Sequence, residues 1–433
     1  MGNDERLTAK QFQESGGVED WRVLAFGASA WFDAPSHAGG AALVSRVAEL
    51  TGSAGHMPDV YLRAGGVHVR IGAAGSSGLT VAEAEVARAV SAAARDLDLP
   101  AVPSAIQDVQ LAFDALDKPS VMSFWHAALG YERVGDDDLV DPMRRDPAIW
   151  FQQQDQPRQL RNRIHIDIAR PNAPAREALE AVGGSAPYVG EFYSTLADAE
   201  GNEADLVPVG VLGEEPETTD WSVLFGAMTF YPVKAPSRAA ELAAVVAGLA
   251  DHAGLPLLVD LRPDGVTIDT GKDQWEDQQF PDLARRIQAA ARGMGLTADT
   301  SRLRFIQIGI DAVDIPAVRR FWRAVLGYEL DPREGVTDIY DPRRLNLPIF
   351  FQRMDASEEE RRKQRNRIHV DVFVPDDQAR ARVAAALAAG GRIAYDDEAP
   401  EWWTLADPEG NEVDIAVSVG REELWQAAQA EAD

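Results

Sequence analysis

Apolar and polar positions alternate over residues 109–114, Val-Gln-Leu-Ala-Phe-Asp, which predicts a strand with one buried face. The pattern then changes to helical spacing. After Pro119, the residues Val121, Phe124, Trp125 and Leu129 fall on one face, and Gly130 supplies the stop. Short strands follow, among them residues 148–152. After a polar loop the cycle restarts, with a strand over 164–168, a helix over 173–182, and strands over 193–196 and 203–207. The segment therefore reads strand–helix–strands twice, and residues 305–417 repeat it. The preceding segment predicts a helix over 41–50, strands around Tyr61 and over 66–71, and a second helix. Thr80 is the expected N-cap of that helix and Glu83 its capping-box partner.

The chain duplicates itself. Arg161-Asn-Arg-Ile-His-Ile-Asp returns as Arg365-Asn-Arg-Ile-His-Val-Asp, and Phe124-Trp-His-Ala-Ala-Leu-Gly-Tyr-Glu as Phe321-Trp-Arg-Ala-Val-Leu-Gly-Tyr-Glu. Asp198-Ala-Glu-Gly-Asn-Glu returns as Asp407-Pro-Glu-Gly-Asn-Glu. A period near half the chain is too long for a solenoid and implies a duplicated two-domain unit. The fold class is α+β. The predicted domains are residues 1–102, 103–212, 221–299 and 300–433, the last with a C-terminal tail. Residues 213–220, acidic and proline-containing, form a linker.

The helix end Phe-Trp-x-x-x-Leu-Gly-Tyr, the Asn-Arg-Ile-His strand and the Asp-x-Glu-Gly-Asn-Glu turn, each present twice, resemble the glyoxalase-like branch of the vicinal oxygen chelate superfamily. The resemblance implies cupped sheets with strand-borne metal ligands. It assigns Gln110, His165 and Asp205 in one copy and Gln307, His369 and Asp414 in the other, with His165 and His369 also as the catalytic groups; Gln110 would face either His165 and Asp205 of its own domain or His369 and Asp414 of the other. A fourth ligand is expected near Gln152 or Gln352, where the sequence offers only Trp150-Phe151 and Phe350-Phe351. A divalent metal is the one cofactor implied, since these donors suit Mn²⁺, Fe²⁺, Ni²⁺ or Zn²⁺. Aromatic residues are expected at the cup mouths, where Trp150, Tyr193, Phe350 and Trp403 are the candidate ligand-binding positions. The Arg161/Arg163 and Arg365/Arg367 pairs are further candidates, for an anionic ligand.

The segment from His56 to Glu83 resembles pterin-4a-carbinolamine dehydratases, in their His-His-Pro segment, Val-His-Ile strand and Gly-Leu-Thr helix start. His56 matches the first catalytic histidine of that family. Its partners are replaced by Met57 and Ala74, and residues that do not titrate cannot run general acid–base chemistry. The second copy retains still less. These two modules are degenerate and are expected to serve as packing, dimerising or lid elements.

Composition narrows the choice. Lys and Arg total 42 against 70 Asp and Glu, for a net charge of -28 over 433 residues. Such a surface repels phosphate backbones and anionic lipid, so neither nucleic acid nor a membrane is an expected partner. Cysteine is absent, which removes disulfides, thiolate metal sites and cysteine nucleophiles. No signal-like segment or membrane span is visible, and the expected location is cytoplasmic. The expected partner is a small molecule. The chain forms an internal pseudo-dimer, with a homodimer as a further arrangement. The function expected is that of a lyase or isomerase acting in the glyoxalase-like cups, assisted by a metal. The alternatives are a non-catalytic binder that sequesters a small aromatic molecule, and a pterin dehydratase.

Overall fold

A computed structural model describes residues 5–51, 57–72, 79–154 and 156–432. The chain folds as two compact units, each assembled from separate stretches. One comprises residues 1–106, 209–303 and 418–433, and the other residues 107–208 and 304–417.

In the first unit two β-β-α-β-β-α modules share one nine-stranded sheet. The modules join edge to edge. Strand Leu258–Arg262 pairs antiparallel with Asp59–Arg63, placing Asp260 opposite Tyr61. Helices His37–Thr51 and Pro236–Ala253 pack together over this join, which closes an edge that each module alone would leave open. The predicted cap is present: Thr80 Oγ1 accepts from the Glu83 amide at 3.4 Å, and Glu83 Oε2 accepts from the Thr80 amide at 2.7 Å. The hairpin Arg22–Leu24/Gly27–Asp33 precedes the first long helix and was not predicted. Its second strand is buried on both faces, so no polar alternation marks it. The tail also departs from expectation. Helix Arg421–Ala432 belongs to this unit rather than to the last domain, and Thr8 Oγ1 donates to Glu423 Oε1 at 2.6 Å.

The second unit contains two eight-stranded sheets, and each draws four strands from each repeat. Strand Asp108–Ala115 pairs antiparallel with Ile368–Phe373, and strand Phe305–Ala312 with Ile164–Ala169. The repeats therefore exchange halves. The arrangement fits the internal pseudo-dimer, and it is this unit that places the candidate site.

The repeated motifs are what holds the exchange together. Helices Lys118–Leu129 and Ile315–Leu326 start at N-caps Asp117 and Asp314 and end at Gly130 and Gly327, both left-handed. Their tryptophans reach the turn. Trp125 Nε1 donates to Asp198 Oδ2 at 2.9 Å, and Trp322 Nε1 to Asp407 Oδ2 at 3.0 Å. Asp198 Oδ1 also accepts from the Glu200 and Asn202 amides, and Gly201, at φ +83°, closes that turn. Glu200 reaches back to the Leu116 and Asp117 amides.

The arginines cross between repeats. Arg163 Nε donates to Asn411 Oδ1 and Arg367 Nε to Asn202 Oδ1, each at 2.9 Å. The Arg163 amide donates to Asn366 Oδ1, and the Arg367 amide to Asn162 Oδ1. Both guanidiniums are buried among backbone carbonyls. Arg161 and Arg365 pair with Glu203 and Glu412. The four arginines considered for an anionic ligand are thus taken up within the fold. A buried guanidinium is stable only when its donors are satisfied, and here the fold satisfies them.

Candidate metal centres in the two cups

Strand Ile164–Ala169 projects His165 and Asp167 from one face, because residues two apart share a side. Parallel strand Glu203–Val207 sets Asp205 beside Asp167, and antiparallel strand Phe305–Ala312 sets Gln307 on its other flank. Strand Ser194–Ala197 adds Thr195 opposite Asp205. One row, Thr195–Asp205–Asp167–Gln307, therefore crosses four strands, with His165 one step along.

His165 Nε2 lies 3.5 Å from Asp167 Oδ1 and 3.9 Å from Asp205 Oδ2. Thr195 Oγ1 donates to Asp205 Oδ1 at 2.6 Å, and Gln307 Nε2 donates to Asp167 Oδ2 at 2.8 Å. Gln307 Oε1 is buried and has no hydrogen-bond partner. The side chain is only 3% exposed, so this is an orphan acceptor inside the cluster.

The second sheet builds the same group from His369, Asp371, Asp414, Gln110 and Thr404. His369 Nε2 lies 3.4 Å from Asp371 Oδ1 and 4.0 Å from Asp414 Oδ2. In each group one His nitrogen and two carboxylate oxygens lie within 4.8 Å of one another. Burial pushes the Asp414 carboxyl above its ordinary value, and neighbouring His369 opposes that shift.

The exchange of halves decides which candidates meet. Gln110 stands opposite Asp371 in the group of His369 and Asp414, rather than with His165 and Asp205 of its own repeat. Gln307 correspondingly joins His165 and Asp205. Asp167 and Asp371 were missed by sequence reasoning. Their signal was in plain view, since each sits two residues beyond its histidine on a predicted strand and so faces the same way.

The aromatic candidates separate. Trp150 and Phe350 face the cups, opposite Ala112 and Gly309. Trp150 Nε1 donates to Asp371 Oδ2 at 2.6 Å. Phe350 meets the His165 ring edge-on, centroids 5.6 Å apart. Neither supplies the expected fourth ligand. Gln152 and Gln352 bond to Asp114 and Asp311 instead. Tyr193 stands two residues before Thr195, its ring tilted against Tyr188 with centroids 5.2 Å apart. Burial and then the Asp205 charge raise its phenol.

Trp403 requires correction. It pairs with Ile415 on the apolar face and is buried in the core, whereas Trp402 shares the face of Thr404 and Asp414. Trp402 is the positional equivalent of Tyr193, and alternation excludes both members of an adjacent pair from one face. His56 lies outside the described residues.

The donor set fits a divalent ion. One imidazole nitrogen, two carboxylates and a carboxamide suit a borderline metal such as Mn²⁺, Co²⁺, Ni²⁺ or Zn²⁺. Among the described residues no helix is long and apolar enough to cross a membrane.

No curated protein matches the chain significantly. Among solved structures, glyoxalase I from Zea mays aligns over 72% of this chain and 93% of its own, at 9% identity and a TM-score of 0.37. A putative dioxygenase from Bacillus subtilis aligns over 73% of this chain and 85% of its own, at 10% identity and a TM-score of 0.34. A putative glyoxalase from Bacillus halodurans covers 26% of this chain and 92% of its own, at 17% identity and a TM-score of 0.21. The family model gives the more specific result. Residues 110–207 and residues 307–416 each match the glyoxalase-like domain, so the chain carries two glyoxalase-like domains.

Proposed function

We propose that the second unit is a metal-dependent enzyme of the lyase or isomerase type, acting on a small oxygen-bearing molecule in its two cups. The observation that carries this reading is the His–Asp–Asp group, built twice with closely similar spacings, 3.5 and 3.9 Å in one cup and 3.4 and 4.0 Å in the other. His165, Asp167 and Asp205 would hold one ion, and His369, Asp371 and Asp414 the other. A metal bound there supplies Lewis acidity toward a carbonyl or enolate oxygen.

The chain's own residues prepare that chemistry. Thr195 fixes Asp205, while Gln307 and Trp150 fix Asp167 and Asp371. Such support of ligating carboxylates sets their orientation. Phe350 and Trp150 share the face of the donor groups and put apolar surface beside them, which would strengthen charge interactions there. Tyr193 and Trp402 flank the entrances and offer flat apolar surface to a substrate.

Metal content tests the reading. Protein stripped by a chelator and titrated with Zn²⁺ or Ni²⁺ is expected to bind two ions per chain. His165→Ala and His369→Ala should each remove one, and the double variant both. Wild-type protein that binds no stoichiometric ion would refute the proposal.

The rim aromatics favour a second reading, a binder of flat molecules. Tyr193 with Tyr188 and Trp402 with Tyr395 form paired rings beside the two cups. Tight, metal-independent binding of an aromatic ligand without turnover would select it. Pterin dehydration gains nothing from the described residues. His68, the strand histidine, is buried with both ring nitrogens unpartnered, and burial followed by the Arg70 charge holds it well below its ordinary pKa.

A further inference from the structure

The two cups fix their central carboxylate by different means. In the His369 cup, Trp150 Nε1 donates to Asp371 Oδ2 at 2.6 Å, while Asp371 Oδ1 faces His369 Nε2 at 3.4 Å. Indole N–H is a donor only: it neither ligates a cation nor accepts a proton near neutral pH. Its use at this point is to hold a carboxylate, and a donor to an anionic oxygen is a strong one. Strand Ile149–Gln153 delivers it in parallel register beside Ala112, whose small side chain leaves room for the indole.

The His165 cup has no such donor, because its equivalent residue is Phe350. Gln307 takes the task there, donating to Asp167 Oδ2 at 2.8 Å. The carboxamide is thereby tied to a carboxylate. In the His369 cup Trp150 performs that task, and among the described residues no hydrogen bond joins the equivalent carboxamide, Gln110, to Asp371, opposite which it stands.

We propose that Trp150 is a positioning residue for the metal ligand Asp371, and that it makes the two cups unequal. In the His369 cup both ends of the carboxamide are left for the ion or for a substrate oxygen, whereas in the His165 cup the carboxamide nitrogen holds Asp167 and only Gln307 Oε1 is left. This inference rests on the metal reading above and adds to it a division between the sites.

The test isolates each cup. In a His165→Ala background only the His369 cup remains, and Co²⁺ titration followed by visible absorption reads its affinity. Trp150→Phe is expected to weaken that affinity by about 10–100-fold, the usual cost of removing a group that supports a ligand. The metal-free protein should still fold, with a modest fall in melting temperature because buried Asp371 loses a donor. In a His369→Ala background the same substitution should leave Co²⁺ affinity unchanged. Equal Co²⁺ affinity with and without Trp150→Phe in the first background would overturn the inference while leaving the metal proposal standing. So would an equal loss in both backgrounds. Absence of Co²⁺ binding in the unaltered protein would remove both.

Discussion

The two cups share one set of chemical groups and differ in what lies beneath and beside them. Under His369 the facing strand carries Ala112, and under His165 it carries Gly309. A Cβ built on Gly309 would lie 2.2 Å from His165 Cε1 and 2.7 Å from the Phe350 ring. The His165 imidazole therefore rests against bare backbone, with Phe350 at its edge. His369 instead stands beside a methyl group, with an indole bonded to its carboxylate neighbour. The histidine–carboxylate distances agree within 0.1 Å despite this. Two different packings thus converge on one donor geometry. The comparison teaches that the donor set was held constant while its supports diverged.

A second contrast lies away from the cups. Arg304 is buried with Asp141 and Asp146 and covers the Tyr131 ring at 4.7 Å. At the equivalent places the other lobe has Gln107, Asp341 and Asn346. Asn346 Nδ2 donates to Asp341 at 2.9 Å, and Gln107 accepts from Arg382 at 2.6 Å. Where one lobe gained an arginine it also holds a second acid, and where it is neutral the acid is an amide. The exchange is compensated, as burial of charge requires.

Three sets of substitutions sharpen these comparisons. The largest effect on stability is expected from the crossing arginines, where the lobes should behave alike. Arg163→Met and Arg367→Met each strip donors from a buried asparagine and several carbonyls. Each should cost at least about 2–3 kcal/mol in urea unfolding. A difference between them larger than about 1 kcal/mol would break the equivalence of the clamps.

Next is the floor of each cup, where the lobes should differ. Gly309→Ala forces the His165 ring away and should cost about 1–3 kcal/mol, together with the metal of that cup alone. Ala112→Gly should leave metal binding at the His369 cup within a few-fold of wild type. Calorimetric titration of both variants checks this, and retention of two ions by Gly309→Ala would count against the packing argument.

The smallest effect concerns pH. Burial, and then the charge of Asp141, push the Asp146 carboxyl up to about 7, since one guanidinium cannot offset two buried carboxylates. A folded-state value raised above the unfolded one, about 3.9, contributes stability that is complete below that pH. That contribution is lost as pH rises toward 7. The wild-type urea midpoint should therefore be higher at pH 5 than at pH 8. Asp146→Asn, which copies Asn346, should flatten this difference. A pH dependence that survives the substitution would assign it to other groups.

Much of the fold was legible in the sequence because its signals are local. Alternation marked strand Asp108–Ala115, helical spacing and Gly130 bounded Lys118–Leu129, and Thr80 with Glu83 announced a cap. The candidate site was legible in part. His165, His369, Asp205 and Asp414 were found by resemblance, and each lies in a donor group. Asp167 and Asp371 were overlooked although the His-x-Asp spacing placed them. Trp403 was chosen over Trp402 because two adjacent aromatics give no sign of which one faces inward. Only the register of Thr404 against Asp414 settles that.

The sequence by itself determined the duplication and most of the element types, since each depends on signals carried by the chain's own local pattern. The tertiary structure decided the partners. Gln110 could have met the histidine of either repeat, and the motifs read the same in both cases. Pairing of Asp108–Ala115 with Ile368–Phe373 gave it to His369. The crossing of Arg163 and Arg367 into the opposite repeats fastens that exchange. Strand partners are selected by packing and by burial of polar groups summed over the whole unit, and no local window of sequence contains that sum.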